Sequence, residues 1–103
     1  MKHFLIKYRF TNGTQEQWHR DISAFIAALD NDADLKGRIS YRCMKSRNDP
    51  GYYHLASADD DQAIKSLQER EFFKRYTDKT KSVAGGEVEV APLEIVDETK
   101  HSA

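Results

Sequence analysis

Residues 38–58 read RISYRCMKSRNDPGYYHLASA. Two runs, Arg38–Lys45 and Tyr52–Ala58, alternate apolar and polar side chains on either side of Asn48-Asp49-Pro50-Gly51. A period of two marks a half-buried strand, and Asn, Asp, Pro and Gly are the residues that turns recruit. The stretch therefore predicts a β-hairpin. On its first strand Ile39, Tyr41 and Cys43 share one face, with Ser40, Arg42 and Met44 on the other. On its second, Tyr52, His54, Ala56 and Ala58 oppose Tyr53, Leu55 and Ser57. A turn centred between Asn48 and Asp49 sets Cys43 opposite His54 and Tyr41 opposite Ala56. A slip of one residue would reverse every face.

Working outward, His3–Phe10 alternates strictly, with Phe4, Ile6, Tyr8 and Phe10 on one side. Gln15–Leu29 changes to a helical period. Thr14-Gln15-Glu16-Gln17 has capping-box spacing, and Trp18, Ile22, Phe25, Ile26 and Leu29 form one apolar stripe. Downstream of the hairpin, Asp60–Val83 is helical. Its stripe breaks between Leu67 and Phe72, which predicts a kinked or two-part helix closed by Gly85-Gly86. Glu87–Val96 reads as a last strand. Its apolar residues change parity from Val88 and Val90 to Leu93 and Ile95, which predicts a bulge at Pro92. The order β-α-β-β-α-β is the split βαβ of an α+β, ferredoxin-like sandwich with an antiparallel sheet. Helices cover one face of such a sheet and leave the other to solvent, a ligand or a second chain.

The 103 residues suffice for one domain, placed at 1–96, with 97–103 as a polar tail. Sixteen Lys+Arg against seventeen Asp+Glu leave a net charge of −1, without the basic excess of a nucleic-acid binder. No run approaches a membrane span. A lone Cys43 forms no internal disulfide, so a reducing cytoplasm is the expected setting.

His54 is the candidate catalytic residue. It sits mid-strand beside small Ala56 and Ala58, and imidazole exchanges protons near neutral pH. Cys43 opposite it would make a nucleophile–base pair, although a free cysteine is more often a buried small hydrophobe. Tyr8, Tyr41 and Tyr76 are candidate pocket-lining hydroxyls. Trp18 anchors the first helix to the sheet; His19, on the neighbouring helical face, reads as solvated, and His3 and His101 as incidental. No metal site is expected, for no two histidines have helical ligand spacing and no CxxC occurs. Asp30-x-Asp32-x-Asp34 fails as a calcium loop, because Leu35 takes the glycine position and Tyr41 the bidentate glutamate position. It reads as a solvated acidic loop.

At this point the chain resembles a family. Tyr52–Ala58, the acidic helix start, Leu67-x4-Phe72-Phe73-Lys74-x-Tyr76, the Gly-Gly stop and Val88-Glu89-Val90-x-Pro92-Leu93-Glu94-Ile95-Val96 look like the antibiotic-biosynthesis-monooxygenase-like (ABM) domains, over about residues 3–96. The resemblance implies a dimeric α+β barrel: a homodimer with sheets packed face to face and the segment after Pro92 reaching the partner. It also implies a small-molecule ligand in a pocket lined by Tyr8, Trp18, His54, Phe72 and Tyr76. The implied activity is a cofactor-independent monooxygenase or related reaction on a small oxygenated or aromatic molecule. The alternative is a non-catalytic ligand-binding or dimerisation module. The haem-degrading members use Asn, Trp and His where this chain has Tyr8, Ala58 and Thr77, which disfavours haem. Where many oxygenase members carry an aromatic and a histidine, this chain has Ala56-Ser57-Ala58 and Glu69-Arg70-Glu71. RNA binding is disfavoured as well, because Ser57 replaces the last aromatic of an RRM strand.

Overall fold

The computed structural model describes residues 1–100. Along them run β1 (Lys2–Arg9), α1 (Gln15–Asn31), β2 (Ile39–Lys45), β3 (Gly51–Ala58), α2 (Asp61–Gln68), α3 (Glu71–Val83) and β4 (Glu89–Leu93). The strands form one antiparallel sheet in the order β2-β3-β1-β4. His101 and the end of the expected tail lie outside the described residues. Among the described residues no helix is long and apolar enough to cross a membrane.

The hairpin closes in the expected register, with Cys43 opposite His54 and Tyr41 opposite Ala56. Its turn is tied by the Gly51 N–H donating to Asp49 Oδ1 at 2.7 Å and the Ser46 N–H donating to the Gly51 carbonyl at 2.8 Å. Parity then sorts the sheet. Ile6 and Tyr8, Tyr41 and Cys43, and Tyr52 and His54 face the helices. Leu5, Met44, Tyr53 and Leu55 face away.

Thr14 caps α1 by accepting from the Gln17 N–H at 3.3 Å. The Gln17 side chain donates to Asp21 instead of returning to the cap, so only half of the capping box forms. Trp18, Ile22, Phe25 and Leu29 are buried against the sheet. The second helical stretch is in two parts, α2 and α3, as its broken stripe predicts. The joint is held by Arg70, whose guanidinium grips Asp32 in a fork (2.8 and 3.2 Å) and reaches Asp34 at 3.1 Å. The acidic loop is therefore a clasp rather than merely solvated. A hydrogen bond from Arg70 holds the Asp32 carboxyl below its usual range. At the far end of α3, Gly85 and Gly86 adopt φ of 66° and 94°, where glycine turns the chain without a Cβ penalty.

The last strand departs from expectation. No bulge occurs at Pro92, and the ladder runs unbroken from Lys7–Glu89 to His3–Leu93, with Pro92 opposite Phe4. Because β4 is an edge strand, only half of its N–H groups point into the ladder, and proline is tolerated there. The change of parity has another cause. Val90 pairs with Ile6 on the helix-covered face, whereas Leu93 pairs with His3 on the open one. The strand ends at Leu93, short of Val96, and Ile95 and Val96 are exposed.

Candidate functional site

His54 is fully buried on the helix side of the sheet, as its parity requires. Its Nε2 lies 2.8 Å from the Tyr8 hydroxyl, and its Nδ1 lies 2.7 Å from Tyr41 Oη and 3.3 Å from Tyr76 Oη. Tyr41 and Tyr76 are themselves 3.2 Å apart at their hydroxyls. The Trp18 indole N–H donates to Tyr8 Oη at 2.8 Å. Each of these side chains comes from a different element: Tyr8 from β1, Trp18 from α1, Tyr41 from β2, His54 from β3 and Tyr76 from α3. The rings pack as well as bond. Tyr76 stacks on Phe25 at 3.8 Å between centroids and on Trp18 at 5.6 Å. Among the described residues no buried side-chain nitrogen or oxygen lacks a partner.

Burial sets the electrostatics. It pushes the His54 imidazole down to about 4, so the ring is neutral at pH 7. It pushes the Tyr8, Tyr41 and Tyr76 phenols well above their ordinary range. Cys43 stands opposite His54, but burial raises its thiol to about 11. Both His54 nitrogens are taken by tyrosines. The nucleophile–base pair that the hairpin register would allow therefore does not form.

Beside this network, between the sheet and the helices α2 and α3, lies a cavity of about 340 Å³. Tyr41 and Tyr76 line it beside Ser57, Gln68, Thr77 and Thr80, Ala56 and Ala58 are its floor on the sheet, and exposed Lys81 stands at its rim. The two alanines leave room over the sheet, as their size predicts. His54 does not line the cavity; it stands one hydrogen bond behind, through Tyr41 and Tyr76. Tyr8 and Trp18 lie deeper still. Phe72 is also absent from the wall and Phe73 takes its place, although both rings pack against Phe25, at 6.0 and 6.1 Å. The signal for this was present: Phe73, Tyr76, Thr77 and Thr80 are spaced i, i+3, i+4, i+7, one helical face, and all four line the cavity. The doublet Phe72-Phe73 leaves the choice between neighbours to packing.

The other two described histidines are engaged. His19 Nε2 lies 2.8 Å from Tyr52 Oη, and His3 Nδ1 lies 2.7 Å from Ser57 Oγ, so neither is simply solvated or incidental. Among the described residues no group of three His, Cys, Asp or Glu side chains is placed to hold a metal ion.

No family model and no curated protein matches the chain. Solved structures do. SnoaB, a cofactor-independent oxygenase from Streptomyces nogalater, superposes with a TM-score of 0.73 at 12% identity, over 97% of this chain and 98% of that one. A provisionally assigned antibiotic biosynthesis monooxygenase from Caulobacter crescentus gives a TM-score of 0.75 at 12% identity, over 93% and 90%. PA3566 from Pseudomonas aeruginosa gives 0.72 at 21% identity, over 93% and 94%. The chain thus has the ferredoxin-like fold of ABM-domain proteins.

Proposed function

We propose that this chain is a cofactor-independent, monooxygenase-like enzyme acting on a small oxygenated aromatic molecule held in the cavity between the sheet, α2 and α3. The observation that carries the reading is that Tyr41 and Tyr76, whose hydroxyls meet at His54, both line a mostly apolar cavity. Apolar walls with a few convergent polar groups are the usual make-up of a ligand site, and this one is near the small end of the size range. A flat ring system suits such walls, and its oxygen substituent suits the tyrosines. The fold shared with an oxygenase that uses no cofactor supports the same reading. In such a reaction the ionised substrate is itself the reductant. A CH₂ beside the ring passes electrons to O₂, one oxygen atom stays as a carbonyl, and the other leaves as water.

The test is oxygen uptake with a series of hydroxylated bi- and tricyclic ketones, alongside calorimetric binding. Ala56→Phe fills the cavity floor and is expected to abolish both binding and uptake while the protein stays folded. Unchanged binding in that variant would place the ligand elsewhere. A second reading, a non-catalytic ligand-binding module, is favoured by the complete pairing of the network and the neutral His54. Saturable binding without oxygen uptake selects it.

The reading includes a homodimer. Met44, Tyr53, Leu55 and Leu93, between 38% and 43% exposed, spread over the helix-free face of the sheet. A face of this kind, covered by a second copy, accounts for apolar side chains that a monomer would leave in water. The exposed segment after Pro92 extends the apolar surface with Ile95 and Val96. A cytoplasmic setting fits the unpaired Cys43. Light scattering at micromolar concentration is expected to give twice the chain mass. Leu55→Lys, beside Arg42 on β2, is expected to reduce it to one chain mass. A monomeric parent protein would refute the dimer.

A further inference from the structure

The direction of the buried hydrogen bonds can be worked out from one end. Indole is a donor only, so the Trp18 N–H donates to Tyr8 Oη. Tyr8 has one hydrogen of its own. Among the described residues its hydroxyl has two partners, Trp18 and His54 Nε2, and only the second can accept. Were Nε2 to carry the imidazole proton, the Tyr8 oxygen would accept twice and its hydrogen would be left unpaired in the interior, the costly case for a buried donor. Tyr8 therefore donates to Nε2, and the proton of the neutral ring sits on Nδ1. Nδ1–H then donates to Tyr41 Oη, 2.7 Å away. The Tyr41 hydrogen goes on to Tyr76 Oη at 3.2 Å. The Tyr76 hydrogen is the last of the series. No acceptor in hydrogen-bond geometry remains for it among the described residues, and Tyr76 lines the cavity, where a ligand can take it.

We propose that Trp18 and Tyr8 act as positioning residues that lock His54 in its Nδ1–H tautomer, so that the cavity wall offers a ligand a hydrogen-bond donor from Tyr76. The inference rests on the cavity being the ligand site. It names the class of molecule taken there: one that presents an acceptor oxygen, a ring carbonyl or the oxyanion of an enolate or phenolate, rather than an O–H or N–H to be accepted. An oxygen of that kind accepts the last hydrogen of the series. Lys81, a cation at the cavity rim, favours the same charge type.

Two measurements test this. In ¹⁵N-histidine-labelled protein at pH 7, long-range ¹⁵N–¹H correlation is expected to show His54 as a single Nδ1–H tautomer. In Trp18→Gln the amide carbonyl gives the Tyr8 hydrogen an alternative acceptor, and the Nε2–H form is expected to appear. Should that variant not fold, the spectrum of the unmodified protein decides. The second measurement is calorimetric binding of 1-tetralone, 1-aminonaphthalene and naphthalene. The ketone is expected to bind about tenfold more tightly than the hydrocarbon, the worth of about one hydrogen bond. Tyr76→Phe is expected to remove that advantage, and the amine to gain nothing. An Nε2–H tautomer in the unmodified protein overturns the inference, as does an amine that binds as well as the ketone. If no probe binds, the cavity reading of the preceding section fails and the ligand class fails with it. If probes bind without preference for the ketone, only the present inference fails.

Discussion

Replacing Tyr76 by phenylalanine is expected to lower turnover of a true substrate by about 10²–10³, the usual cost of removing one preorganised donor from a developing oxyanion. The ring itself is kept, so its stacking on Phe25 and Trp18 is kept too. What is lost is a hydroxyl at the cavity wall that costs no reorganisation when charge develops on the substrate oxygen. Tyr41→Phe is expected to act in the same direction and also to remove the partner of His54 Nδ1. The two changes belong to one chain of hydrogen bonds, so their effects are not expected to add. Steady-state oxygen uptake with matched binding measurements checks this. The loss should fall on kcat more than on KM, because the oxyanion is fully formed only during reaction. A Tyr76→Phe enzyme with unaltered kcat would remove the tyrosine pair from the chemistry.

The second large effect concerns acid. His54 has an ordinary pKa near 6.5 in the unfolded chain and about 4 in the folded one, lowered by burial. Below pH 6.5 the unfolded chain takes up a proton that the folded chain refuses. Stability is therefore untouched above pH 7, falls as pH drops from 6.5 to 4, and stops falling through this group below 4, where both states are protonated. A tenfold difference in proton affinity between the two states is worth about 1.4 kcal/mol, so the loss across this window is about 3 kcal/mol. The carboxyls of Asp32 and Asp60 act in a different window. Their folded pKa values are depressed, Asp32 by Arg70 and Asp60 first by the Ala63 N–H. Their contribution is present above the unfolded carboxyl range and is lost only as pH falls below it. Urea unfolding at pH 7, 6, 5 and 4 is expected to show the decline. His54→Gln, whose amide does not titrate, is expected to be less stable at pH 7 but nearly flat from 7 to 4.5. An equal slope in both proteins would assign the acid sensitivity elsewhere.

Much of this molecule is legible in the chain. The alternation in residues 38–58 fixes a hairpin, because a half-buried strand tolerates only one phase of apolar residues. The turn residues pin its register, and with it the pairing of Cys43 and His54. The stripe from Trp18 to Leu29 and the gap between Leu67 and Phe72 specify one straight helix and one broken one. The side of the sheet that His54 occupies follows from parity alone. At Pro92 the same reasoning misplaces a bulge. Parity in an edge strand reports which face each residue shares with its neighbour strand, and β4 contributes apolar residues to both faces.

The wiring of the site was not legible in this way. Periodicity assigns a side chain to a face but carries no information on which atoms meet when the layers close. Tyr8, Trp18, Tyr41, His54 and Tyr76 come from five separate elements, and their hydroxyl and ring nitrogens converge only when α1 and α3 settle on the sheet. The same closure engaged both nitrogens of His54 with tyrosines and left none for Cys43. It set Phe73 rather than Phe72 in the cavity wall and turned the acidic loop into the clasp for Arg70. Element order, hairpin register and the face that carries His54 are written in local periodicity and turn chemistry, which are properties of neighbouring residues. The polar network and the cavity beside it depend on distances between residues far apart in the chain, which packing alone sets.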